Sequence, residues 1–223
     1  MKLSKRLKYI AGLVNYRTLA DIGCDHCLLP VYLAKEGRLD RAYATDKNAG
    51  PLSKARELVK SCGLEHVVDL RLGSGLFPVA GEGAMACVIA GMGGMTIIDI
   101  LNENLDTAKS FKQLILSPER DLPAVRRFLH TNGFMISDEH IIIDGNIFYF
   151  IVEAVLGEER YEEDEYVFGR ALPLKASPVF RQFIMEELNK TQRIYDNLPE
   201  SIKIVSDELA KYKAICEKTL LNL

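Results

Sequence analysis

Apolar residues along the chain switch between two spacings, and the switch points mark out its elements. Leu3, Leu7, Ile10 and Val14 recur at helical steps with lysines and arginines between them, which predicts a short amphipathic helix over 3–14. The apolar run 19–22 reads as a strand ending at Gly23, followed by a helix over 28–36 closed by Gly37. A strand over 41–45 ends at Asp46, a helix over 52–62 stops at Gly63, and a strand over 66–72 runs into Gly73-Ser74-Gly75. The buried-type strand 84–90 leads into Gly91-Met92-Gly93-Gly94, then a helix over 96–105, a strand over 111–116 and a helix over 122–131. There the rhythm changes. Residues 134–143 and 146–155 read as two strands joined through Asp144-Gly145, a tight-hairpin dipeptide.

Repeated strand–helix alternation predicts an α/β fold with a parallel sheet and helices on both faces. The closing hairpin is more discriminating. Dinucleotide-binding sheets of the dehydrogenase kind end on another parallel strand, whereas a Rossmann-like seven-stranded sheet with an antiparallel last strand is the class I methyltransferase variant. Residues 157–177 read as a linker, acidic first and then rich in Gly, Pro and Ser. Beyond it, Phe180, Ile184, Leu188, Thr191 and Tyr195 form one apolar stripe, and Val205, Leu209, Tyr212, Cys216 and Thr219 another. These predict two helices packed as an antiparallel, coiled-coil-like hairpin. The expected division is a cofactor-binding domain over 1–160 and a linker plus helical hairpin over 161–223.

Composition changes the picture in two places. The net charge of −3 does not advertise a polyanion partner, yet Lys2, Lys5, Arg6, Lys8 and Arg17 all precede the first acid, Asp21, while acid gathers over 158–165. The charge is segregated, and clustering matters more than the sum for nucleic-acid binding. No apolar run approaches the roughly 18–20 residues of a membrane span. The basic N-terminus interleaves its apolar residues with charge, unlike a signal peptide, so a cytoplasmic protein is expected. Five scattered cysteines, an odd number in a long chain, read as reduced thiols.

Cys24-Asp25-His26-Cys27 poses the sharpest local question, because a C-x-x-C enclosing a histidine could serve a metal or redox site. No second Cys/His pair completes a zinc set, and His66, His130 and His140 are isolated in sequence, so no metal is expected. Position favours a ligand pocket instead. Parallel sheets bind ligands at the C-terminal ends of their strands. Four such ends carry Asp21-Ile22-Gly23, Asp46-Lys47, Ser74-Gly75 and Ala90 with the Gly91–Gly94 loop. Gly23 permits a sharp turn, Asp21 can accept from an ammonium group, Asp46 from ribose hydroxyls, and Ser74 can meet an adenine edge. The loop Gly23–Leu28 lacks the second and third glycines of a dinucleotide fingerprint, which speaks against a pyrophosphate and leaves S-adenosyl-L-methionine as the fitting cofactor. Cys24, Asp25 and His26 then belong to the pocket loop. Gly91, Met92, Gly93 and Gly94 are the candidate catalytic loop, with backbone carbonyls to accept from a substrate amine.

LSKRL (3–7), ADIGCDHCLLP (20–30), ATDKNAGPLSKA (44–55), RLGSGL (71–76) and VIAGMGG (88–94) resemble the bacterial tRNA (adenine(22)-N1)-methyltransferases, the TrmK family. The resemblance covers essentially the whole chain, and the D-I-G-x-D-H-x-x-L-P and G-M-G-G blocks are its most specific parts. It implies methyl transfer from S-adenosyl-L-methionine to N1 of an adenine, with tRNA as partner and no membrane. Arg6, Lys5, Arg126 and Arg127 are the expected RNA-binding residues, and Arg120 an extension of that surface. The family often has Ser at the position of Cys24, Asp or Asn at Ser74, and Gln-Pro where this chain has Ser117-Pro118 followed by Glu119. A methyltransferase of another substrate, and a non-enzymatic adaptor with a vestigial pocket, stay open on sequence, as does the oligomeric state, a monomer included.

Overall fold

The computed structural model describes residues 3–199 and 207–223, and the chain divides into two compact units, Met1–Arg160 and Tyr161–Leu223. The first unit holds seven strands: β1 Thr18–Ile22, β2 Arg41–Asp46, β3 Val68–Leu72, β4 Ala86–Met92, β5 Gln113–Pro118, β6 Phe134–Asp144 and β7 Ile147–Leu156. They form one sheet in the order β3-β2-β1-β4-β5-β7-β6. The first five pair in parallel, and β7 runs antiparallel to both β5 and β6. This is the class I methyltransferase topology that the Asp144-Gly145 hairpin foretold.

Six helices accompany the sheet: α1 Lys5–Leu13, α2 Leu28–Lys35, α3 Ala49–Ser61, α4 Gly94–Glu103, α5 Leu105–Ser110 and α6 Leu122–Thr131. α1, α2 and α3 cluster together, and α4 packs with α5 and α6. Central strands are apolar because both faces are covered: β5 is buried along its whole length, and Leu19, Ala20 and Ile22 of β1 are buried too. β6 alternates buried and exposed residues over its first half, as an outer strand should.

Three local departures from the sequence expectation have physical causes. α3 begins at Ala49 rather than 52, because Gly50 and Pro51 fall in the first turn, where a helix needs no amide donor from proline. A separate helix, α5, follows α4, because Asn104 leaves helical geometry (φ −143°) and its side chain accepts from the Thr107 amide at 3.3 Å, starting a new turn. The predicted linker is partly helical: α7 Glu165–Phe168 and α8 Ala171–Lys175 lie in it. Tyr161, Tyr166, Phe168 and Leu172 are buried, a spaced apolar set hidden in sequence by the acids around it.

The second unit continues with α9 Pro178–Asp196 and α10 Asp207–Leu221, which pack against each other as a helical hairpin. Of the predicted stripes, Phe180, Ile184, Thr191 and Cys216 are buried; Val205 lies outside the described residues. Phe168 meets the rings of Phe180, Phe183 and Tyr212. Tyr212 donates to Glu187 at 2.8 Å, linking α10 to α9. Among the described residues no helix is long and apolar enough to cross a membrane.

α1 is fastened to the sheet by polar groups as well as by Ile10 and Val14. The Arg6 amide donates to Asp144 Oδ2 at 3.0 Å. Tyr9 OH and His140 Nδ1 share a hydrogen bond of 3.1 Å, and His140 Nε2 pairs with Glu153 Oε1 at 2.9 Å. Gln113 donates to Glu153 Oε2 and to the Leu13 carbonyl, and accepts from the Asn15 amide. The C-terminal end of the helix is thereby tied to β5 and β7.

Arg126 requires a correction. It was expected on an RNA-facing surface, but it is fully buried, and its Nε donates to Glu139 Oε1 at 2.7 Å, with Glu139 only 1 % exposed. The pair joins α6 to β6 and cannot reach a polyanion. Replacing one partner strands the other charge in the interior. Arg126→Met should therefore lower the unfolding free energy by about 3–5 kcal/mol, measured by urea denaturation. A drop in RNA affinity without loss of stability would contradict this assignment.

Candidate active site

The crevice forms where β1 and β4 lie side by side. Gly23 leaves β1 with φ +71°, and the Gly23 and Cys24 amides both donate to the Thr45 carbonyl at 2.8 Å, folding the loop onto the end of β2. Asp25 (φ +50°) and Cys27 (φ +58°) also take left-handed backbone, so the loop is tightly wound before α2 begins. The Asp25 amide donates to Asp46 Oδ2 at 3.3 Å, and the Asn48 amide donates to Asp46 Oδ1 at 2.8 Å. Asp46 is thus held at the mouth by two backbone donors. The left-handed backbone of Gly23 (φ +71°) favours glycine, and Met92 Cε occupies the space a Cβ there would take.

A cavity of about 330 Å³ opens over these ends. Gly23, Asp46, Lys47, Ser74, Gly75, Met92 and Gly93 line it, as their strand-end positions implied. Sequence reading missed Thr45, Asn48, Gly73, Thr96 and Ile100 in the same wall. Thr96 and Ile100 stand four apart on the helix after Gly-Met-Gly-Gly, a spacing that could have flagged them. Thr45 gave no signal, since its Oγ1 is a buried strand atom, and it has no hydrogen-bond partner within the protein. Asp21 is buried on β1 and does not line the cavity. Burial, and then the nearby Asp46 carboxylate, push its pKa up to about 7. Two close carboxylates and an orphaned hydroxyl fit a cationic nucleoside.

Other predicted residues stand beside the cavity rather than in its wall. Cys24 and Cys27 are buried, and their mutual hydrogen bond, then burial, raises the Cys27 pKa, so this thiol is held protonated. Asp25 is exposed and His26 partly so, with His26 Nε2 at 3.7 Å from Asp25 Oδ2. Ala90 is partly buried and Gly91 exposed. Lys5 and Arg127 are exposed, as a surface role needs, and Arg120 arches over Gly93 with its side chain 79 % exposed.

The ends of β4 and β5 build the other side. Their register slips between Ala90 and Met92, so a bulge places Gly91 (φ +77°) outside the ladder. Arg6 occupies that space: its Nη2 lies 3.2 Å from where a Gly91 Cβ would be. Its guanidinium stacks over Tyr149 at 4.7 Å and stands 3.9 Å from Glu119 Oε1. Arg6 Nε and Nη1 are buried without a hydrogen-bond partner in the protein, an unusual state for a cation. The loop carbonyls, in contrast, are less available than the sequence implied. Met92 O already accepts from the Glu119 amide at 2.9 Å and Gly93 O from the Ile97 amide at 3.1 Å, while Gly94 is buried against the backbone of Arg120 and Asp121.

Strand order and crevice together define a methyltransferase of the seven-stranded α/β class, and residues 3–152 match the family described as methyltransferase domain. The chain belongs to the tRNA (adenine(22)-N1)-methyltransferase family, TrmK. It is 31 % identical to the Bacillus subtilis (strain 168) tRNA (adenine(22)-N(1))-methyltransferase over 208 residues, covering 90 % of this chain and 87 % of that one. Streptococcus pneumoniae Sp1610, solved in complex with S-adenosyl-L-methionine, superposes with a TM-score of 0.90 at 30 % identity, over 98 % of this chain and 100 % of that one. M. capricolum TrmK, in complex with S-adenosyl-homocysteine, gives 0.87 at 26 % identity over 100 % and 99 % of the two chains.

Asp21 makes a pH prediction. Its folded pKa, near 7, lies above the ~3.9 of an unfolded aspartate. Its contribution to stability is therefore full below about pH 4 and is lost as pH rises through about 7. Ligand-free Asp21→Asn should lack this loss. Its stability relative to wild type should rise between pH 5 and pH 8 in denaturant titrations. Parallel wild-type and variant curves over that range would contradict the raised pKa.

Proposed function

We infer that this protein transfers the methyl group of S-adenosyl-L-methionine to N1 of an adenine in tRNA, adenine 22 in the family to which it belongs. The observation that carries this is the convergence of Gly23, Asp46 and Met92 on one crevice at the β1/β4 reversal, in a chain similar to TrmK over its whole length. The cofactor supplies a methyl group on a positively charged sulfur. Asp46 accepts from ribose hydroxyls, Asp21 faces the amino-acid ammonium, and Ser74 meets the adenine edge. A cation beside Asp21 offsets the burial that keeps its carboxyl protonated, so cofactor binding should tighten as pH rises toward 7.

Adenine N1 carries a free lone pair, so no base is needed before attack; alignment and desolvation do most of the work. N1 lies on the pairing edge, so the base must enter unpaired or pulled from its stack. Arg6, with unsatisfied donors at the β4 end, is placed to hold it or its phosphate, while Lys5 and Arg127 offer exposed charge to the RNA backbone. The helical hairpin of the second unit is the other RNA grip. The work is done in the cytoplasm, where tRNA is.

The decisive experiment incubates the purified protein with unmodified tRNA and labelled cofactor, then identifies nucleosides by mass spectrometry. Label in 1-methyladenosine at position 22 is expected; label elsewhere, or none, overturns the reading. Asp46→Ala should weaken cofactor binding by about 1–3 kcal/mol through lost charge-assisted hydrogen bonds. An unchanged calorimetric dissociation constant would remove Asp46 from the ribose.

A further inference from the structure

We propose that Glu119 is a catalytic residue, accepting a hydrogen bond from the exocyclic amine of the target adenine and thereby selecting adenine over guanine. This rests on the methyl-transfer reading above. As the N1–carbon bond forms and the sulfur–carbon bond breaks, the bonding pair stays on sulfur and the positive charge passes to the purine. That charge is shared between N1 and the amine, whose hydrogens become more acidic. An acceptor already aimed at the amine binds the transition state better than the neutral base. No proton has to leave for the charges to balance.

Glu119 has the position this requires. Its amide donates to Met92 O at 2.9 Å, which fixes the end of β5 against the end of β4. Met92 in turn reaches over Gly23 at the cofactor crevice. The Glu119 side chain is 56 % exposed and 3.9 Å from Arg6 Nη1, beyond hydrogen-bond length, so Arg6 stands beside it without consuming its lone pairs. Among other acids near this rim, Asp144 accepts from the Arg6 amide, Asp46 accepts from two amides, and Asp21 is buried. The loop carbonyls of Met92 and Gly93 each already accept one bond. Guanine presents an oxygen where adenine presents the amine, and a carboxylate repels it.

The test pairs enzyme and substrate changes in the full chain. Ligated tRNAs carrying adenine or unsubstituted purine at the target position are methylated under single-turnover conditions by wild type, Glu119→Gln and Glu119→Ala. Wild type should be about 10- to 100-fold slower on the purine RNA. Glu119→Ala should lose that same factor on adenine RNA and nothing further on purine RNA, with Glu119→Gln between them. Any lower intrinsic reactivity of purine affects all three enzymes and cancels. Binding gives a readout independent of turnover: wild type should prefer RNA carrying 1-methyladenine over its unmethylated counterpart, and Glu119→Gln should lose that preference while the cofactor dissociation constant stays unchanged. An equal loss on both RNAs after Glu119→Ala, or no loss, overturns the proposal. Wild type that methylates no adenine removes the underlying reading first, and is recognised by that.

Discussion

The reversal of strand order between β1 and β4 is the constraint that everything else obeys. β1 pairs in parallel with β2 on one side and with β4 on the other, so the connections leaving these two strands turn away from each other. No backbone covers the place they leave, and the strand ends become the walls of a crevice. The reversal is rigid because it is apolar: Leu19, Ala20, Ile22, Val88 and Ile89 are each at most 2 % exposed. Side chains at the strand ends inherit that rigidity. The parallel ladder sets the β1 and β4 ends side by side, and Met92 Cε fills the space left by the missing Cβ of Gly23.

Arg6 illustrates what such a site costs. Burying guanidinium nitrogens without partners is unfavourable by roughly 1–3 kcal/mol per group, and the ring of Tyr149 offsets part of that. The helix that carries it is fastened from three strands, through Asp144, through His140 with Glu153, and through Gln113. These bonds have no direct business with a ligand. They hold α1 where its second residue fills the space beside Gly91, and relaxing them would let Arg6 escape to water. Fold and site therefore meet in the same short helix, with the cost borne at Arg6 and the compensation lying one to two turns further along.

Much of this was legible in the residues. The period of the apolar pattern placed the strand ends, and the strand ends placed Asp21, Gly23, Asp46 and Ser74. The Asp144-Gly145 hairpin declared the antiparallel finish. What failed to show was set by register and by partners distant in sequence. Arg126 and Arg127 are adjacent and chemically equivalent in the sequence, yet helix α6 turns one toward Glu139, thirteen residues on, and the other to solvent. The bulge that frees Gly91 depends on how β4 meets β5, which no local pattern encodes. Thr45 looked like an ordinary strand residue because only the closure of the crevice gives it a role.

The placement of charge around the crevice follows the direction of the reaction. On the cofactor side stand two acids, Asp21 buried and Asp46 held by backbone donors, an environment that favours a positive ligand. On the substrate side stand Arg6 and Glu119, close enough to feel each other and too far apart to satisfy each other. Methyl transfer moves one positive charge from the first region to the second. Under the proposed roles, the acids on the cofactor side hold the cation before transfer; afterwards that attraction is gone and the new cation faces Glu119. A site with both acids on one side alone would bind the cofactor well and oppose the charge's departure. In the proposed reaction an acid at the end of β5 removes that opposition: the Glu119 amide bonded to Met92 O fixes its backbone there, and Arg6 at the β4 bulge stands too far off to consume its acceptor oxygens.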